Sequence, residues 1–89
     1  MQINKQLSSI GCSYEQLVDI NKQLNNYAAV NHNGSFCINY IQRVGWIAFS
    51  YATINGELHF LRNEIGLNRL KMFIEQPIDS INSFFSNYK

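Results

Sequence analysis

Two cysteines, Cys12 and Cys37, and two histidines, His32 and His59, are the side chains of this chain best suited to nucleophilic or metal chemistry. A thiol–imidazole dyad needs hydrogen-bond reach between the two groups and a third group to orient the base. Cys37 and His59 fall in two extended segments with a third between them, which sets their backbones ~9–10 Å apart. That spacing predicts a small buried cysteine and a half-exposed strand histidine rather than a dyad. Zinc sites favour paired ligands at Cys-x₂₋₄-Cys or His-x₃₋₅-His spacing. Cys12, His32, Cys37 and His59 form no such pair. No metal is expected, and the thiols are expected to stay reduced. The carboxylates Glu15, Asp19, Glu57, Glu64, Glu75 and Asp79 are scattered and read as solvated charges or helix caps. No Gly-rich phosphate loop and no Gly-x-Ser-x-Gly pattern occurs. The expectation is a protein without catalytic residues or a cofactor, and not an enzyme.

The residues better suited to contact than to catalysis are basic and aromatic. Arg62, Arg69 and Lys71 make a local basic excess, and the seven-residue step from Arg62 to Arg69 predicts that they share a helical face. Tyr40, Trp46, Tyr51 and Phe60 are suited to stacking on bases, and the simpler expectation is that they build a core. Trp and Arg dominate the centres of protein interfaces. Arg43, Trp46, Arg62, Arg69 and Lys71 are therefore the candidate partner-binding residues.

The elements that position them are legible from spacing. Ile3, Leu7 and Ile10 form one helical stripe, and Gly11 suits a left-handed stop. Ser13 with Gln16 reads as a capping box, with Cys12 and Leu17 as its hydrophobic staple. The helix that follows carries Leu17, Ile20, Leu24, Tyr27 and Ala28 on one face and Glu15, Asp19, Lys22 and Asn26 on the other. The segment Ile-Asn-Lys-Gln-Leu occurs at 3–7 and again at 20–24, but its surroundings do not repeat. Asn31-His32-Asn33-Gly34 reads as a loop.

Three strands follow, over about 35–41, 46–53 and 57–62. Asn55-Gly56 closes the second hairpin, because both central residues of a type I′ turn need φ > 0. Gln42-Arg43-Val44-Gly45 closes the first, read as a type I turn with a bulge at Gly45. That register puts Phe36, Ile38 and Tyr40 on the face of Ala48, Ser50 and Ala52, and a one-residue slip reverses it. Phe49, Tyr51, Leu58 and Phe60 share one face of the sheet, and Trp46, Ile54 and Leu61 the other. Large apolar groups on both faces mean that helices cover both, or that one face meets a partner. Beyond the strands, Asn63 reads as the cap of a helix over about 64–76, buried through Leu67, Leu70, Phe73 and Ile74. Gly66 inside it disfavours an early start. Pro77 opens a last helix with the stripe Ile78, Ile81, Phe84, Phe85 and Tyr88. Asp79 and Lys89 suit its dipole.

The fold class is therefore α+β: a three-stranded antiparallel meander flanked by N-terminal and C-terminal helices, in the order α-α-β-β-β-α-α. Eighty-nine residues make a single domain, 1–89. Charged residues are 15% of the chain, against ~25% in ordinary domains, and twelve asparagines supply much of the missing polarity. The formal net charge of +1 lacks the basic excess of a nucleic-acid binder or a polybasic membrane face. No apolar run is long enough to span a bilayer, and the first residues lack a signal peptide's apolar core. The expected setting is cytoplasmic.

The α-β-β-β-α part of the order resembles a double-stranded-RNA-binding domain. Asn68-Arg69-Leu70-Lys71-Met72 stands where that family carries a lysine cluster, so its phosphate contacts are not matched. The helix–meander–helix order is also similar to that of some anti-CRISPR proteins. The lack of a catalytic constellation and a surplus of sheet hydrophobics over what one face needs point to a small binding protein that occupies a surface of a larger protein or nucleoprotein complex; the second resemblance implies a phage or mobile-element inhibitor of host defence. Direct nucleic-acid binding is the alternative, a homodimer is a further expectation, and no membrane partner is expected.

Overall fold

A computed structural model describes the backbone of residues 2–88 and the side chains of residues 3–87. The described chain is an α+β fold in the order α1 (Gln2–Ser9), α2 (Tyr14–His32), β1 (Gly34–Ile41), β2 (Gly45–Ile54), β3 (Glu57–Ile65), α3 (Leu67–Glu75) and α4 (Pro77–Phe85). A short 3₁₀ turn, Ser86–Tyr88, follows. The three strands form one antiparallel meander, β1-β2-β3. No described helix is long and apolar enough to cross a membrane.

The caps act as their residue types dictate. Gly11 takes φ +72 and ends the first turn of chain. Ser13 accepts from the Gln16 amide while the Gln16 side chain accepts from the Ser13 amide, so the capping box is complete. Cys12 and Leu17 are both buried in the core beside it. Pro77 is the first residue of α4, where its missing N–H costs nothing. Asn55 and Gly56 both have positive φ, as a type I′ turn requires.

Two boundaries and one turn differ from the sequence expectation. The segment 31–34 is not a loop: α2 runs through His32, Asn33 alone turns the chain in a left-handed conformation, and Gly34 already pairs in β1. His32 is held in helix by tertiary contacts, stacking on Phe85 with ring centroids 4.4 Å apart and meeting Asn82 Oδ1 at 2.7 Å. The third strand runs to Ile65, and α3 starts only after Gly66, which caps it with no side-chain bond. The ladder with β2, ending at Trp46 opposite Ile65, overrides the cap chemistry of Asn63. The first hairpin has the expected facing but another turn. Val44 N–H donates to Ile41 O, and Arg43, at the third turn position, takes φ +71, the mark of a type II rather than a type I turn.

The register places Phe36 opposite Ser50, Ile38 opposite Ala48 and Tyr40 opposite Trp46. Bulky β1 residues thus flank small β2 residues on one face, which leaves room for helices. Leu7 of α1, Leu17, Leu24 and Ala28 of α2, Leu70 and Phe73 of α3, and Ile81, Phe84 and Phe85 of α4 fill it. Phe36 is the hub, with Phe73 at 5.2 Å and Phe84 at 5.3 Å between ring centroids. Trp46 donates its indole N–H to Gln6 Oε1 at 2.8 Å and ties α1 to the sheet. In both copies of Ile-Asn-Lys-Gln-Leu the leucine is buried and the isoleucine half-buried, since both copies are helical.

The outer edge of β1 is closed by α2 rather than by another strand. Asn21 Nδ2 donates to Ile38 O at 3.0 Å, and its Oδ1 accepts from Ile38 N–H at 2.8 Å. One turn on, Asn25 Oδ1 accepts from Phe36 N–H at 3.1 Å. These two amides replace the missing neighbour strand, satisfying backbone groups that otherwise invite edge-to-edge pairing. The close fit extends to the strand's start, where any Cβ on Gly34 would overlap the carbonyl oxygen of Tyr51.

Two stability measurements test this account. Asn21→Ala strands both backbone groups of Ile38 and is expected to lower unfolding free energy by about 2 kcal/mol, with Asn25→Ala costing about 1 kcal/mol. Equal costs in urea denaturation would mean that the edge is held elsewhere. Gly34→Ala is expected to cost at least ~3 kcal/mol by overpacking against backbone; a near-wild-type midpoint would refute the close approach.

Candidate functional site: the uncovered sheet face

All four helices pack on one side of the sheet, so the opposite face is left to solvent. It carries Cys37 and Asn39 from β1, Ile47, Phe49, Tyr51 and Thr53 from β2, and Leu58, Phe60, Arg62 and Glu64 from β3. Ile47 is fully buried between its neighbours. Toward the other end the face opens: Tyr51 is 42% exposed, Phe60 50% and Leu58 68%. Tyr51 and Phe60 are directly opposed across β2 and β3, with centroids 5.1 Å apart, and Phe49 lies 6.2 Å from Phe60. The Arg62 guanidinium sits over the Phe49 ring, 5.9 Å from its centroid. The result is a contiguous aromatic surface with a cation laid on it.

Two recesses border this face. A groove of about 390 Å³ runs between α2 and β1, lined by Val18, Lys22, Cys37, Phe49 and Tyr51 among others. A wider recess of about 620 Å³ lies at the free edge of β3, lined by Val44, Arg62, Asn63, Glu64 and Arg69.

The candidate contact residues do not all meet. Arg62 and Arg69 share the β3-edge recess, though not by the expected helical spacing: Arg62 is in a strand and Arg69 in α3. Arg69 also stacks on Phe84, 5.6 Å from its ring centroid. Arg43 is exposed in the first hairpin turn, and Lys71 is exposed on α3 two residues from Arg69, which turns it to another side of the helix. Trp46 is on the helix-covered face, only 4% exposed, with Tyr40 and Gln6 as partners. It stands in the core, and the exposed aromatics of the sheet are Tyr51 and Phe60 instead. Alternation in the strands separated these two groups already; what it could not say is which face the helices take.

The same register separates the groups considered for chemistry. Cys37 lies on the open face, and His59 on the covered face, near Glu57 with Nε2 at 3.8 Å from Oε2. No dyad forms. Both cysteines are free, and among the described residues no group of three or more His, Cys, Asp or Glu is placed to hold a metal. Partial burial pushes the Cys37 thiol up from its ordinary pKa, opposed by a hydrogen bond from Asn39 Nδ2 at 3.3 Å.

Comparison with known proteins finds no matching family model, no matching curated protein and no matching solved structure. The functional reading therefore rests on this face and its edges.

The thiol provides a probe of the open face. Cys37 is expected to alkylate before Cys12, which is only 5% exposed. Because its pKa is raised, its rate is expected to lag a free thiol at neutral pH and to climb with a midpoint above the free thiol's. Faster alkylation of Cys12 in the native protein would contradict the assignment of faces.

Proposed function

We propose that this protein is a non-enzymatic binding module whose uncovered sheet face occupies a surface of a larger protein or nucleoprotein complex. The observation that carries the reading is the contiguous patch of Phe49, Tyr51, Leu58 and Phe60 with Arg62 over it. A sheet face in water ordinarily alternates to polar residues, and an apolar cluster left open marks an interaction site. Rigid aromatics with an arginine are the residue types that carry interface energy. The partner-binding set is thus Tyr51, Phe60 and Arg62, joined by Arg69 at the edge. Arg43 and Lys71 lie outside the patch and serve as peripheral charges. An inhibitor that masks host machinery, in the manner of anti-CRISPR proteins, is the use that a single small domain of this kind suits best, acting in the cytoplasm.

A second reading has a specific observation behind it. Aromatic rings on a strand surface with an adjacent arginine also form a platform for stacked bases. Salt separates the two, because nucleic-acid binding falls steeply with ionic strength in proportion to phosphates neutralised.

The test is capture from native host lysate by wild type and by Tyr51→Asp combined with Arg62→Glu. The substitutions are at exposed positions, so the circular dichroism spectrum is expected to be unchanged. Affinity for the captured partner is expected to fall by roughly 30-fold or more, as for loss of a hot spot. Undiminished capture by the folded double variant would remove this face as the site.

A further inference from the structure

The two edges of the sheet are treated differently. The β1 edge is closed by Asn21 and Asn25, whereas β3 spans Glu57–Ile65 with Glu57 to Phe60, Arg62 and Glu64 exposed. Hydrogen-bond direction alternates along an antiparallel strand. The turn at Asn55-Gly56 makes Ile54 and Glu57 a bonded pair, so His59, Leu61 and Asn63 also point their backbone groups toward β2. Leu58, Phe60, Arg62 and Glu64 then present theirs outward. The edge has no proline and no lysine, two of the devices that protect such edges.

We propose that β3 pairs antiparallel with β3 of a second copy about a two-fold axis at Phe60, joining two three-stranded sheets into one. The charge pattern of the strand selects this occupant and this register. With Phe60 opposite Phe60 of the second copy, Leu58 meets Arg62 and Glu57 meets Asn63. Glu57 of each copy thus comes, on the helix-covered side of the joined sheet, beside Asn63 at the recess that Val44, Arg62, Asn63, Glu64 and Arg69 of the other line; Arg69 of α3 is the cation on that side, whereas Arg62 and Glu64 belong to the open face. The described residues hold no carboxylate within ion-pair distance of either arginine, and Glu57 has only the exposed His59 nearby. The arginine recess and the acid that fits it lie three residues on either side of the axis, so both pairs form at once. Leu58, Phe60 and Arg62 of the two copies exchange roughly six backbone hydrogen bonds. The pairing leaves the aromatic face open and joins the two faces into one platform. It does not depend on the function proposed above: undiminished capture by a folded Tyr51→Asp variant whose dimer is intact fails only that reading, and a wild-type monomer that still captures its partner fails only this one.

Sedimentation equilibrium from about 5 to 500 µM is expected to show a monomer–dimer equilibrium in the micromolar range. Leu58→Pro removes an outward N–H and leaves the β2 ladder intact, so the variant is expected to be a folded monomer. Glu57→Arg and Arg69→Glu are each expected to weaken the dimer about tenfold through two like-charge contacts, and the Glu57→Arg/Arg69→Glu double variant to regain it. A wild-type monomer throughout, or a dimer that survives Leu58→Pro, would overturn the proposal. If Leu58→Pro fails to fold, the charge swap decides: single variants without effect, or a double variant no better than either, would refute the register.

Discussion

The architecture depends on the side chain of one asparagine meeting both backbone groups of one strand residue. Asn21 takes the N–H and the C=O of Ile38 together, and Asn25 takes the N–H of Phe36 one helical turn further on. An amide is the neutral side chain that offers a donor and an acceptor at one spacing, as a peptide unit does. α2 therefore stands in for a fourth strand along β1 while its apolar face reaches over the sheet with Leu17, Leu24 and Ala28. A helix held at the sheet edge in this way leans to one side of it. The other helices then pack against the apolar face of α2 on that side, and the second face stays bare.

The bare face follows from that lean and from the steric plan of the strands. Ala48, Ser50 and Ala52 on β2 make a shallow trough between Phe36 and Ile38 on one side and Leu61 on the other. Helices pack into a trough more closely than onto a ridge. The reverse face of β2 presents Phe49 and Tyr51, a ridge capped by Phe60 and Arg62. The small residues that admit the core thus also decide where the large ones are left in water.

Much of this was legible in the sequence. The order of elements, the Ser13 capping box, the Asn55-Gly56 turn, Pro77 at a helix start and the grouping of side chains on each sheet face all follow from local chemistry and period. The stripe positions Tyr88 and Lys89 have side chains outside the described residues. What local signals missed is tertiary. His32 stays helical because Phe85 and Asn82 receive it, and β3 outruns its pattern because β2 is long enough to pair with it through Ile65. Asn21 was invisible as a structural residue, since a polar residue on a helix ordinarily reads as solvated. The excess of asparagine over charged residues was the available hint: an amide tolerates the sheet edge, where a lysine or glutamate brings a desolvation cost. Residue type alone points Trp46 to an interface, but its ring is buried in the core with Gln6 as acceptor.

Stability and recognition occupy different atoms of the same strands. On β2, even-numbered residues face the core and odd-numbered residues from Phe49 to Thr53 face water, so any two successive residues there carry one side chain of each kind. On β3 the separation goes further, because the outward backbone groups belong to the residues whose side chains lie on the open face. Leu58, Phe60 and Arg62 therefore join face and edge into one L-shaped surface, in which ring faces and unpaired peptide groups are displayed by the same residues. Substitution at those positions changes what the protein contacts without entering the core. Substitution at Phe36, Ala48 or Ser50 does the opposite. The cost of the arrangement is an exposed edge with neither proline nor lysine to keep off its own copies. The partition works only while the register is exact to one residue, and it is Gly34, lying against Tyr51 backbone with no room for a Cβ, that pins that register at the far end of the first hairpin.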